Sequence, residues 1–138
     1  MNGFEEHAVC RAPAEEVFKL LWDIDRLSEW WAGMDRVERG SDGQITRFME
    51  AWPDFAYPTR LEGTRDGSQV RISCLLSDIV HEWTLAPHPD GCVVAVHVEL
   101  PEAESHRLDA QRDEIRTSLA GLVALAELQS DGISRRAS

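Results

Sequence analysis

Three Asp-Gly dipeptides mark the middle of the chain at a constant interval. They are Asp42-Gly43, Asp66-Gly67 and Asp90-Gly91, each 24 residues after the one before. Asp-Gly between β-like runs signals a hairpin turn, because both residues tolerate a positive φ. Each interval has room for two strands and one further turn. Those further turns are expected at Trp52-Pro53-Asp54 and around Ser77-Asp78. Six consecutive strands follow, over about 34–40, 44–52, 56–64, 68–76, 80–87 and 92–100. The flanking residues do not match, so the interval reflects a meander of near-equal strands rather than a sequence repeat.

Alternation within the strands says which face is buried. Cys92, Val94, Val96, Val98 and Leu100 share one face, with His97 and Glu99 on the other. In the fourth of these strands Val70, Ile72, Cys74 and Leu76 oppose Arg71 and Ser73. One face covered and one face wet is the pattern of an antiparallel sheet.

Ahead of the meander, residues 4–11 read as a first strand. Pro13 stands where a helix begins, and Glu15 and Glu16 suit the positive end of its dipole. Val17, Phe18, Leu20, Leu21 and Ile24 give an amphipathic helix over 13–23. Asp25 is a good N-cap for a second short helix, Arg26 to Ala32, stopped by Gly33. After the sheet, Pro101 and a charged linker lead to a long helix over 106–128, roughly 35 Å at 1.5 Å per residue. Its stripe is Leu108, Ile115, Leu119, Leu122, Val123 and Ala126.

The order is strand, two short helices, six strands and one long helix. The fold class is α+β: a seven-stranded curved antiparallel sheet wrapped around the long C-terminal helix. That helix is the only element long enough to cover the sheet. A curved sheet on a single helix leaves a gap between them, and such gaps are default ligand sites. With 138 residues the chain reads as one domain over 1–130, followed by a flexible polar tail at 131–138.

Charge and composition remove several function classes. Fourteen basic against 25 acidic residues give a net charge of −11 with no basic run, a poor match to a phosphate backbone. Nucleic acid is therefore not an expected partner. No stretch approaches the roughly 20 apolar residues of a membrane span. Met1 to Glu6 carries no leader-like pattern, so a cytoplasmic location is expected. Cys10, Cys74 and Cys92 form no C-x-x-C pair and read as buried small hydrophobes. The five histidines lack metal-ligand spacing, so no metal is expected. No nucleophile–base pair, phosphate-cradling loop or nucleotide fingerprint is visible, so no cofactor is expected either.

Two stretches carry a family resemblance. The run Ala12-Pro13-Ala14-Glu15-Glu16-Val17-Phe18 through Trp22-Asp23 to Trp30-Trp31, then Arg36-Val37-Glu38, resembles the opening of START/Bet v 1-like (SRPBCC) proteins. The hairpin His81-Glu82-Trp83-Thr84-Leu85-Ala86-Pro87 … Asp90-Gly91-Cys92-Val93-Val94 resembles that family's later signature, with Cys92 where Thr is usual. The resemblance covers about 4–128 and is nearest the bacterial polyketide cyclase/dehydrase group. It implies the helix-grip fold, with lipids, sterols, polyketides or quinones bound in a central cavity. Tyr57-Pro58-Thr59-Arg60 is similar to that group's aromatic-x-[ST]-R signature, which implies a functional role for Arg60.

The candidate residues follow. Arg60 is the leading catalytic candidate, an interior cation for a ligand oxygen, with Tyr57 as hydrogen-bond donor and His81 as proton shuttle. Trp30 and Trp31 are candidates for the cavity mouth and Trp83 for its wall. Met49, Arg47, Leu119 and Leu122 complete the candidate ligand-binding set. Trp52 is expected at the rim. The leading expectation is binding of a hydrophobic, ring-containing small molecule. The alternatives are a polyketide aromatase/cyclase in which Arg60 stabilises the oxyanion, and a protein-interaction module without a ligand. A homodimer is compatible with each.

Overall fold

The computed structural model describes residues 2–41 and 44–137, with side chains described through Gly132. The chain opens with β1 (Asn2–Cys10), α1 (Ala14–Trp22), a 3-10 turn (Ile24–Arg26) and α2 (Leu27–Trp30). The meander runs through β2 (Met34–Arg39), β3 (Gln44–Met49), β4 (Trp52–Gly63), β5 (Gln69–Cys74), β6 (Val80–His88) and β7 (Gly91–Leu100). A 3-10 segment (Glu102–Arg107) then leads into α3 (Leu108–Ala137). The sheet is antiparallel in the order β1-β7-β6-β5-β4-β3-β2. Only β1 leaves sequence order, crossing to pair with β7 as Phe4↔Val98 and Cys10↔Cys92.

The inner face follows the alternation. Ile72, Val94, Val96, Val98 and Leu100 are sealed from solvent, packed with Ile115, Leu122 and Ala126 of α3. Pro13 caps α1, its carbonyl accepting from the Glu16 and Val17 amides. The next turn is capped by Asp23, whose carboxylate accepts from the Asp25 amide at 3.1 Å, two residues before the Asp25 cap expected. Gly121 is set by packing. A Cβ there would lie 3.0 Å from the Trp30 carbonyl oxygen, so α3 meets the end of α2 backbone to side-chain-free backbone.

Several boundaries differ from expectation. The β3–β4 turn falls at Glu50-Ala51, and Trp52 and Pro53 already belong to β4. Pro53 is tolerated because it lies on the exposed first half of β4, ahead of that strand's pairing with β5, which starts at Thr59↔Cys74. In the last hairpin His88 pairs with Gly91, so Pro89 and Asp90 form the turn itself. Gly91 has φ +153°, and a Cβ there would collide with the Cys10 carbonyl oxygen, so this position demands glycine. Asp42-Gly43 lies outside the described residues. The 102–105 linker is 3-10 helical. The long helix runs on to Ala137, past the expected end at 128 and through 131–137. No proline interrupts that stretch, and an existing helix propagates without a new nucleus. No described helix is long and apolar enough to cross a membrane.

Candidate functional site

The sheet-to-helix gap is mostly filled by tryptophan. Trp30, Trp31 and Trp83 are 3%, 2% and 0% exposed. Trp30 meets Trp83 edge-on with ring centroids 5.2 Å apart and donates Nε1–H to the Leu20 carbonyl at 3.2 Å. Trp83 Nε1 is buried with no hydrogen-bond partner. These three indoles, with Leu119 and Leu122, form packed core rather than a cavity wall. The expectation that α2 brings a tryptophan to the mouth is thereby corrected. The α2–α3 approach at Gly121 draws both rings inward.

A cavity of about 60 Å³ remains beside that core. Its walls include Arg47 and Met49 of β3, Tyr57 of β4, Cys74 of β5 and His81 of β6. The 3-10 segment and α3 contribute Arg107, Gln111 and Glu114. Ser77, in the turn before β6, and Arg107 are part-exposed and border it at the surface. Four of the expected residues therefore meet here: Arg47, Met49, Tyr57 and His81.

Arg60 is not among them. Inward positions on β4 are Tyr57, Thr59 and Leu61, and strand alternation turns Arg60 outward, where it is exposed. The mechanism with Arg60 as oxyanion stabiliser is withdrawn on that ground. The interior cation is Arg47, which sits opposite Tyr57 in the β3–β4 register and is 7% exposed.

Arg47 is held by its stem and left open at its tip. Its Nε–H donates to Thr59 Oγ1 at 2.8 Å, and that hydroxyl donates to the Tyr57 carbonyl at 3.0 Å. Its Cζ lies 5.1 Å from the Trp31 ring centroid, a cation–π contact. Among the described residues no carboxylate lies within 4.0 Å of the guanidinium, and the Cys74 side chain is the other polar group against it. Burial pushes its pKa down, but a guanidinium stays charged in proteins. A desolvated cation with free N–H groups on a cavity is a receptor for an oxygen.

The other polar walls are arranged around it. His81 Nε2 lies 3.1 Å from Gln111 Oε1, an atom that can only accept, so Nε2 carries the proton and Nδ1 is left as an acceptor. Burial, aided by the nearby Arg47 charge, lowers the His81 pKa to about 3, so the ring is neutral. Its ring stands perpendicular to that of Trp31, with centroids 5.2 Å apart. Trp31 also donates Nε1–H to Glu114 Oε2 at 3.2 Å. Burial raises the Glu114 pKa, and the Trp31 bond and Arg47 charge oppose it. Trp31 thus stands behind the cavity, touching three of its walls without lining it.

Gln111, Glu114, Arg107, Cys74 and Ser77 were not among the expected site residues. Gln111 left a signal: it interrupts the apolar stripe between Leu108 and Ile115, a buried polar residue at a core position. Glu114 shares its side of α3 three residues on, and Arg107 closes the 3-10 segment four residues before it. No group of three potential metal ligands occurs among the described residues.

A curved antiparallel sheet gripping one long helix, with a small polar-walled cavity between them, defines a helix-grip domain of the START/Bet v 1-like type. The chain belongs to the family described as polyketide cyclase/dehydrase and lipid transport, whose model matches residues 1–127. Solved structures are similar throughout. Protein CV1439 from Chromobacterium violaceum shares 25% identity at a TM-score of 0.72, covering 91% of this chain and 97% of that one. KanY is 15% identical at a TM-score of 0.74, with 91% and 97% covered. The di-domain ARO/CYC BexL from the BE-7585A biosynthetic pathway is 18% identical at a TM-score of 0.72. It covers 90% of this chain, which spans 46% of BexL. No curated protein matches the sequence.

Proposed function

We propose that this chain binds a hydrophobic, ring-containing small molecule that carries an anionic or enolic oxygen, with that oxygen on Arg47. One observation carries the reading: a nine-tenths buried guanidinium lines a cavity and has no carboxylate of the described residues within 4.0 Å. A cavity of about 60 Å³ takes the oxygen-bearing end of such a ligand but not a drug-sized body, which needs on the order of 300 Å³. The remaining space comes from Tyr57 and Met49, the half-buried walls, swinging outward as the ring enters.

Thermal-shift and calorimetric titration with hydroxynaphthoquinones and naphthoates test this reading. Wild type and Arg60→Ala are expected to bind alike, and Arg47→Met to lose binding. Equal binding by Arg47→Met sinks the proposal, as does failure of every acidic aromatic tested.

A cyclase reading is favoured by one further observation. Glu114, a carboxyl with a raised pKa, lies on the same cavity as the cation. It supplies a proton to a departing hydroxyl while Arg47 holds the enolate oxygen. Turnover of a poly-β-keto thioester that persists in Glu114→Gln would remove this reading and leave the binding role intact.

A further inference from the structure

Cys74 occupies a different environment from the other two cysteines. Cys10 and Cys92 face each other across the β1–β7 pair, fully buried and away from the cavity. Cys74 lines the cavity. It is the register partner of Thr59, the residue that holds Arg47, so its sulfur and the guanidinium share one wall. The chain then folds back tightly. The Asp78 amide donates to the Cys74 carbonyl at 2.9 Å, with Asp78 at φ +59°. That turn returns Ser77 to the same cavity wall as Cys74.

The arrangement serves a thiolate. Arg47, on the same cavity wall, supplies the opposite charge. Burial raises a thiol pKa, and at Cys74 the polar groups of Ser77 and Leu76 and the Arg47 charge outweigh burial and bring it below the ordinary value. At Cys92 burial prevails and the thiol is pushed up to about 11.

We propose that Cys74 is a nucleophile that captures α,β-unsaturated carbonyl compounds by conjugate addition, with the carbonyl oxygen on Arg47. The chemistry is self-contained. The sulfur forms a bond to the β-carbon, and the C=C pair moves toward the carbonyl, placing negative charge on the oxygen that Arg47 holds. The proton given up by the thiol ends on the α-carbon. The sum is addition of S–H across the double bond, with nothing oxidised or reduced and no co-reactant. The substrate class is enones, enals and quinones. The proposal rests on the reading that the Arg47 cavity receives a ligand oxygen, and it adds a covalent step at the same wall.

The test uses methyl vinyl ketone, a small enone, and methyl methanethiosulfonate, a thiol reagent with no carbonyl, on the folded full-length chain. Peptide mass mapping reads the rate at each cysteine. Cys74 is expected to form the enone adduct while Cys10 and Cys92 stay unmodified. The ratio of enone to thiosulfonate rates at Cys74 is expected to fall about tenfold in Arg47→Gln, the scale of one charge-assisted hydrogen bond, and to recover partly in Arg47→Lys. The ratio is insensitive to general loosening, which speeds both reagents. An unmodified Cys74, or a ratio unchanged in Arg47→Gln, overturns the proposal. Titration of Cys74→Ser with the hydroxynaphthoquinones and naphthoates separates the two readings. Retained binding with no Cys74 adduct in wild type refutes the nucleophile alone, whereas absent binding in both proteins refutes the cavity reading as well.

Discussion

The indole N–H of Trp31 donates to Glu114 Oε2 at 3.2 Å, tying the end of α2 to α3 beside the cavity. This bond opposes the upward push that burial exerts on the Glu114 carboxyl. Trp31→Phe keeps an aromatic ring and removes the donor. The Glu114 proton is then expected to persist to higher pH, read from its carbonyl stretch in infrared titration. Stability at neutral pH is expected to fall by about 1–3 kcal/mol, because a buried acceptor loses its partner. An unshifted titration would show that the bond does not govern Glu114.

His81 makes stability depend on pH in a defined direction. Its folded pKa is about 3, against 6.5 as the ordinary value. Below pH 6.5 the unfolded chain takes up a proton that the folded ring refuses. The His81 contribution is therefore whole above 6.5 and is lost as pH falls toward 3, with a slope of at most about 1.4 kcal/mol per unit. Glu114, raised in the folded state, acts in the opposite sense above pH 4.5. Comparing His81→Gln with wild type by chemical denaturation across this range isolates the histidine. The variant is expected to show the shallower acid loss, and parallel curves would contradict the burial argument.

Arg47 and Arg60 should respond oppositely to removal. Arg47→Met replaces a desolvated charge with an apolar chain of similar length, and Thr59 keeps its bond to the Tyr57 carbonyl. Stability is expected to rise by about 1–4 kcal/mol as ligand binding disappears. Arg60→Ala, on the exposed face, is expected to stay within about 0.5 kcal/mol of wild type. Denaturant midpoints of the two variants check both statements.

Gly121 limits how closely α3 and α2 can meet. Gly121→Leu is expected to cost about 1–3 kcal/mol through overpacking against Trp30. Gly121→Ala pits a gain of about 1 kcal/mol in helix propensity against a Cβ 3.0 Å from the Trp30 oxygen. It should fall between wild type and the leucine variant in melting temperature.

The fold was legible because strand alternation and turn chemistry are local. Val94, Val96 and Val98 announce their face without reference to any partner. The site was legible only in part. Parity on β4 already sends Arg60 outward once Thr59 and Leu61 point in, but the motif around Tyr57 spoke for the opposite assignment. Arg47 shares its face with Ile45 and Met49, and its importance depends on what is missing around it, which no local pattern reveals. The tryptophans divided differently from their sequence positions. Trp30 and Trp31 are core because of where α3 crosses, at Gly121. Cys74 looked like one more small apolar residue in an alternating strand. Its distinction comes from pairing with Thr59, a contact between strands that sets it beside Arg47.

The crossing of β1 to β7 has a consequence for how the chain is made. Cys10 finds its partner Cys92 only when about eighty more residues have emerged, about 4–16 s later at about 5–20 residues per second. Until then β6 has no neighbour on one side and β1 has none on either. A chain arrested before β7 is complete therefore leaves the edges of β1 and β6 open to pairing with other molecules.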